Sequence, residues 1–326
     1  MRFVLDKSRL DFAASLDSML AAADVPRVSR ALAAGDTGPV RRLFRSLAAL
    51  GVTGLAIDAD HDGVGADPVD MVVAMERLGR WAVPGPLVES IAVVPVLLTH
   101  TTFDRRDSWL SALASGELIA SSALPPSMPR AADPGVADLL LLVENGNVRT
   151  AVVDAAVQSV DPSRTLGHLR ASDTVSALDD GAEVVLSLNG SLACAAQLAG
   201  AGRALLDTTV EYAKSRRQFG RSIGTFQAVQ HALADVAIEM EMARPLLMGA
   251  ALSVGSGSVD ARRDVSAAKV ACADAAYRAS RTALQVHGAI GYTRECDLSL
   301  WIGMVHALRS AWGTPSAHRR IVLESL

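Results

Sequence analysis

The apolar positions change period twice along the chain. In residues 40–50, Leu43, Leu47 and Leu50 keep helical spacing and Gly51 supplies a stop. A turn-rich stretch, HDGVGADP (His61 to Pro68), follows, and the spacing then predicts a second helix with Asp67 as N-cap and Pro68 at its first position. Met71, Met75 and Leu78 form its apolar face, and Gly79 is expected to end it. From Ile119 to about Leu188 the pattern shortens. The runs LLLLV (139–143) and VVLSL (184–188), and the alternating VRTAVVDAAVQSV with Val148, Val152 and Val157, are separated by Pro, Gly, Asp and Asn and read as strands.

Helical period returns at Asn189. Leu192, Ala195, Ala196, Ala199, Leu206, Val210 and Ala213 fall on one face, and Phe226, Val229, Leu233, Val236, Met240 and Leu247 make a second stripe. A third runs from Val265 through Ala268, Cys272, Ala275 and Ala279 to Ala283, and a shorter one lies between Leu298 and Leu308. The connections are short, SVGSGS (Ser253 to Ser258) among them, so these stripes predict an antiparallel bundle. The fold class expected is mainly α with a small β-domain: an N-terminal helical domain (1–118), a reduced middle β-domain (119–188) and a C-terminal four-helix bundle (189–326).

Composition narrows the picture without naming a function. Half of the 326 residues are hydrophobic but only 4% aromatic, and an interior of small side chains suits closely packed helices. The charge of −4, from 31 basic and 35 acidic residues, gives no field favouring nucleic acid. Cys194, Cys272 and Cys296 are too few and too scattered for a disulfide framework or a metal site, and are expected as buried thiols. The seven histidines show no ligand spacing, and no Ser or Cys sits in a nucleophile-elbow context. Charged residues in MRFVLDKSRLDF speak against a secretory leader, and the uncharged window 184–202 carries enough polar residues to read as a core helix. A soluble cytoplasmic protein is the expectation.

Two strings at breaks between helical patterns stand apart: YAKSRRQFGRSIGTFQAVQ (Tyr212 to Gln230) and QVHGAIGYT (Gln285 to Thr293). Taken singly, Lys214, Arg216, Arg217 and Gly220 are what a helix C-terminus ordinarily carries, and a Gly-x-x-Gly after a helix is common. Taken together, with the pattern R-x-Q-F-G-x-x-I-x-x-F-Q complete, they resemble the two signature regions of the acyl-CoA dehydrogenases. These flavoproteins oxidise an acyl thioester across its α and β carbons. LGVTGLAID and LSALASGE (Leu110 to Glu117) are similar to parts of that family's N-terminal domain.

The resemblance implies a half-site for FAD that reaches across a subunit interface. Arg216 would contact the pyrophosphate with a forked, permanently charged donor, and Phe219 and Gln227 would flank the adenine end. Gln285 and Gly288 would approach the same pyrophosphate, with Ala289 in place of a usual Gly and His287 as a structural residue. The family's flavin-ring motifs are missing from the corresponding stretch, ASSALPPSMPRAADPG (Ala120 to Gly135). Its catalytic Glu is missing too. Trp312 stands at the usual position of the base, just before Gly313 and Thr314, and Gly190, followed by Ser191, stands at the alternative one. An indole cannot remove the α-proton. Glu183, Glu295 and Asp297 are the acids nearby, with Asp297 read as a helix N-cap.

Three readings follow. The chain is a non-catalytic subunit of an α2β2 acyl-CoA dehydrogenase, lending FAD contacts to a second subunit of the family that supplies the Glu. Known heteromers of this kind act on CoA thioesters of bulky side chains such as those of steroids, with an electron-transfer flavoprotein as the usual acceptor. Alternatively it is a self-sufficient dehydrogenase with its base elsewhere, or a flavin-free helical scaffold or acyl-CoA binding protein.

Overall fold

The computed structural model describes residues 4–293 and 296–326. Six helices form the N-terminal part: α1 (Lys7–Ala22), α2 (Val25–Ala33), α3 (Gly38–Ala49), α4 (Pro68–Arg80), α5 (Val94–Thr99) and α6 (Arg106–Ala114). Asp67 caps α4 as expected, accepting from the backbone N–H groups of Val69 and Asp70. Gly51, at φ +76°, ends the turn after α3. Ahead of α5 the backbone widens into a π-helical turn, Val88–Val93, whose residues are all buried.

Five strands follow: β1 (Ala120–Ala123), β2 (Ala131–Ala132), β3 (Leu139–Glu144), β4 (Asn147–Gln158) and β5 (Thr165–Ala177). They make one sheet in the order β1-β3-β4-β5-β2, with β1 parallel to β3 and the other pairs antiparallel. The LLLLV run and the alternating run are strands β3 and β4, as their patterns predict. VVLSL is not a strand. It lies in the first turns of a 34-residue helix, α7 (Ala182–Ser215), because only Leu186 of the run is fully buried and Val184 and Val185 face solvent. A short apolar run fits either element, and here the helix that continues from it decides.

The remaining elements are β6 (Arg217–Gln218), β7 (Arg221–Ser222), α8 (Gln227–Gly255), α9 (Ala261–His287), α10 (Leu298–Ser310) and α11 (Pro315–Glu324). The bundle expected from the four stripes is present, and α11, which the pattern did not announce, packs against α9. Helix α7 is not one-sided. From Gly190 to Gly202 every residue is buried, with α4 and the π turn on one flank and α9 and α10 on another. Among the described residues one helix is long and apolar enough to cross a membrane by length and composition, and it is this one, mostly buried in protein.

Gly79 does not end α4. The helix continues through Arg80, and a Cβ on Gly79 would lie 2.1 Å from the Gln197 carbonyl oxygen of α7. Reciprocally, a Cβ on Gly200 would lie 1.8 Å from the Glu76 oxygen. The two glycines allow backbone-to-backbone crossing of the N-terminal helices with the bundle, which seats the π turn over the N-terminal half of α7.

Candidate functional site

Helix α7 ends at Ser215, and Arg216 turns the chain outward in an extended conformation. A hairpin follows in which β6 and β7 are joined by Phe219 and Gly220, at φ +52° and +80°. Two central residues with positive φ are the primed turn that matches strand twist, for which Asn-Gly is the usual pair. Phe in that conformation costs about 1–2 kcal/mol, and the residue is 88% exposed. The hairpin is stapled to α7 by Ser222 Oγ, which donates to the Ala213 carbonyl (2.6 Å), and by the Ile223 N–H, which donates to Arg216 (2.9 Å). Arg221 is stacked 4.1 Å over the Phe226 ring, and Arg217 donates to the Gly220 carbonyl. Arg216 is exposed, and among the described residues its guanidinium has no hydrogen-bond or ion-pair partner. Gln227 is the exposed first residue of α8.

The second string begins in the last turn of α9, where Gln285 is exposed. Gly288 caps the helix at φ +64°, ψ −141°, with nothing within 4 Å of where a Cβ would stand. His287 is buried. Its ring stacks on Tyr212 with centroids 4.1 Å apart and planes at 19°, and its Nδ1–H donates to the Ala283 carbonyl at 2.8 Å. Burial holds its pKa below the ordinary value, against the hydrogen bond, so the ring is neutral near pH 7. Tyr212 lies just before Arg216 in sequence and His287 just before Gly288, so this stack brings the two strings to one end of the bundle.

The two expected base positions meet in the core. Trp312, at φ +56° and 1% exposed, lays its indole on Gly190: a Cβ there would be 2.3 Å from ring carbon Cε3 and 2.4 Å from Cδ2. Its Nε1–H donates to Glu89 Oε1 of the π turn at 3.0 Å. Its carbonyl accepts from Ser191 Oγ (3.0 Å) and from His318 Nε2 (2.9 Å), and His318 Nδ1 accepts from Ser266 Oγ (3.0 Å). Just upstream, the fully buried Lys269 donates to the Leu308 and Arg309 carbonyls at 3.1 and 3.3 Å, closing the C-terminal end of α10. The segment carrying Trp312 is thus pinned from α7, α9 and α11.

Of the acids singled out from sequence, Glu183 is exposed in the first turn of α7 and Glu295 lies outside the described residues. Asp297 holds the N-cap position of α10 as expected, but its side chain makes no capping hydrogen bond and its carboxylate pairs with Arg30 of α2 instead. Cys194 and Cys272 are buried thiols, whereas Cys296 is only partly covered. Sequence reasoning missed Glu89. The signal was there: it is the lone acid in the apolar run from Val83 to Leu98, and burial of such a residue demands a partner.

Comparison with known proteins places this arrangement. The sequence pattern described as acyl-CoA dehydrogenase, N-terminal domain matches residues 8–117, and that described as acyl-CoA dehydrogenase, C-terminal domain matches residues 180–326. Acyl-CoA dehydrogenase IpdE2 of Mycobacterium tuberculosis (strain H37Rv) is 30% identical over 86% of this chain and 85% of its own length. The protein of the same name from Mycolicibacterium smegmatis is 29% identical over 90% and 91%. Among solved structures, the ChsE4-ChsE5 complex from Mycobacterium tuberculosis has a chain of the same fold, with TM-score 0.87, 23% identity and coverage of 100% and 98%. Butyryl-CoA dehydrogenase from Megasphaera elsdenii shares it at TM-score 0.84 and 19% identity, covering 100% and 99%. The chain belongs to the acyl-CoA dehydrogenase family, flavoprotein oxidoreductases whose members bind FAD.

Proposed function

We propose that this chain is the non-catalytic subunit of a heteromeric acyl-CoA dehydrogenase, which lends half of an FAD site to a second subunit of the same family. The observation that carries the reading is Trp312. Where the family places its base there is a buried indole, seated on the other base position and held by Glu89, Ser191 and His318. Glu89, whose carboxyl accepts from the indole, is itself 1% exposed.

The outward-facing residues fit a bound dinucleotide. Arg216 offers a guanidinium without a partner among the described residues, and the space beside Gly288 is open to an approaching phosphate. Phe219, at positive φ in the hairpin turn and with its ring edge-to-face with Phe226 (centroids 6.1 Å apart), offers an exposed aromatic face. In this reading Arg216, Gln285 and Gly288 hold the pyrophosphate, and Phe219 and Gln227 border the adenine end. The FAD, when bound, supplies the hydride acceptor, and the Glu that takes the α-proton belongs to the partner. The middle domain does not fit the flavin ring in the same way. Its stretch from Ala120 to Ala132 is built largely of buried Ala, Ser, Leu and Met packed into the sheet, with prolines at its turns.

The substrate in this reading is an acyl-CoA thioester, and a bulky, steroid-like acyl group is favoured by the solved complex described as a steroid ACAD, whose chain covers 98% of this one at TM-score 0.85. An electron-transfer flavoprotein would be the acceptor. The test is Arg216→Ala in the purified complex: weaker retention of FAD supports the cross-subunit contact, and unaltered retention contradicts it.

A further inference from the structure

Three carboxyl groups converge in the core where three segments meet, and the flavin half-site gives them no task. Asp133 follows β2, Asp161 lies in the connection between β4 and β5, and Glu89 belongs to the π turn; all three are buried. A small cavity of about 20 Å³, room for about one water, is lined by Asp133, Asp161, Ser163 and Arg164, with Gln197 of α7 and Met304 of α10 on its walls. Asp161 is satisfied locally, accepting from the Ser163 N–H at 2.9 Å and from its hydroxyl at 2.7 Å. Asp133 Oδ1 accepts from the Thr165 N–H at 2.7 Å, but its Oδ2 is buried and has no partner among the described residues. The connection rests on α10 at Gly303, where a Cβ would lie 3.3 Å from the Asp161 Cα.

An ionised carboxylate with a bare oxygen in such a place is costly, whereas a neutral acid sharing one water is not. We propose that Asp133 is a proton-operated lock on the β4–β5 connection: neutral, with a water on Oδ2, it seats the connection against α10, and its ionisation beside Asp161 and Glu89 loosens that seat. The charged groups facing Asp133 are Arg164 and Asp161 from the connection and Glu89 from the π turn, while α7 and α10 present the neutral Gln197 and Met304. Burial pushes the Asp133 carboxyl up to about 7, with Asp161 and Glu89 adding to the effect and Arg164 and the Thr165 hydrogen bond opposing it. The sign follows. Between the ordinary value of 3.8 and about 7 the folded chain keeps a proton that the unfolded chain has lost, so this contribution to stability falls as pH rises through that window.

The experiment compares full-length wild type with Asp133→Asn. Thermal unfolding at about pH 5 and about pH 8 brackets the transition, and hydrogen exchange is followed in residues 159–165 after correction for its intrinsic pH dependence. Raising the pH is expected to lower the wild-type melting temperature more than that of the variant, and to speed exchange in the connection only in wild type. Equal pH responses in the two proteins would overturn the proposal. Should the variant not fold, infrared spectra of wild type with ¹³C-labelled Asp decide: a protonated-carboxyl band that disappears across about pH 7 supports the lock, and no such band at any pH overturns it.

Discussion

The Trp312 indole fills the space where a Gly190 side chain would stand, so the two places where a carboxylate would be sought are filled by one side chain and the gap left for it. Gly190→Ala is therefore expected to be far more damaging than an ordinary helix Gly→Ala change, which would stabilise. The added methyl has no room at 2.3 Å from the ring, and overpacking of this kind costs about 1–3 kcal/mol. Denaturant unfolding of the isolated chain measures it.

Trp312 is also the hydrogen-bond donor to a buried carboxyl. Trp312→Phe keeps much of the apolar volume but leaves Glu89 Oε1 without its partner, a loss of about 1–3 kcal/mol. Adding Glu89→Gln to that variant should recover part of the loss. A double-mutant cycle showing no coupling between the two positions would remove the hydrogen bond from the account.

Phe219 should respond in opposite directions to two assays. Phe219→Gly relieves a left-handed conformation worth about 1–2 kcal/mol while adding backbone entropy of about 0.5–1 kcal/mol to the unfolded chain. The isolated chain is thus expected to be unchanged or slightly more stable. The complex is expected to hold FAD less tightly, read as faster flavin loss on dilution.

Acidification should loosen the pins around Trp312 and the two strings. Burial depresses the pKa of His287 and of His318 below the ordinary 6.5. For a group so depressed, the contribution to stability is complete above its unfolded value and is lost as pH falls through the lower folded value. As pH falls below about 6.5, wild-type melting temperature is expected to fall relative to that of His318→Gln, and the difference between the two separates this contribution from the opposite one of Asp133.

Much of this molecule was legible in its pattern of residues, for identifiable reasons. The α4 start could be read because an Asp-Pro pair carries both a cap and a fixed φ, and Asp67 does cap there. β3 and β4 could be read because turn residues bracket them. Gly79 was misread because a stop and a helix crossing use the same residue, and only the approach of the Gln197 carbonyl separates them. VVLSL was misread because five residues do not distinguish strand from helix. The strings around Arg216 and Gly288 were legible as local motifs. That they belong to one site was implied by the family resemblance; the contact that joins them, the Tyr212–His287 stack between residues far apart in sequence, was not legible. The Trp312–Gly190–Glu89 contact joins three distant segments and leaves no local spacing to read.

Arg216→Ala should leave unfolding of the isolated chain unchanged, because the side chain is exposed and makes no contact that holds the fold. In the complex it should raise the FAD dissociation constant about tenfold to a hundredfold, the worth of one charge-assisted hydrogen bond.

The central claim is tested most directly by the flavin content of the purified protein. The chain is expressed alone and together with a candidate second subunit of the acyl-CoA dehydrogenase family, and the flavin absorbance per protein is measured with acyl-CoA oxidation. The account predicts a colourless, inactive chain alone and a yellow, active complex. Yellow and active protein from this chain by itself would contradict it.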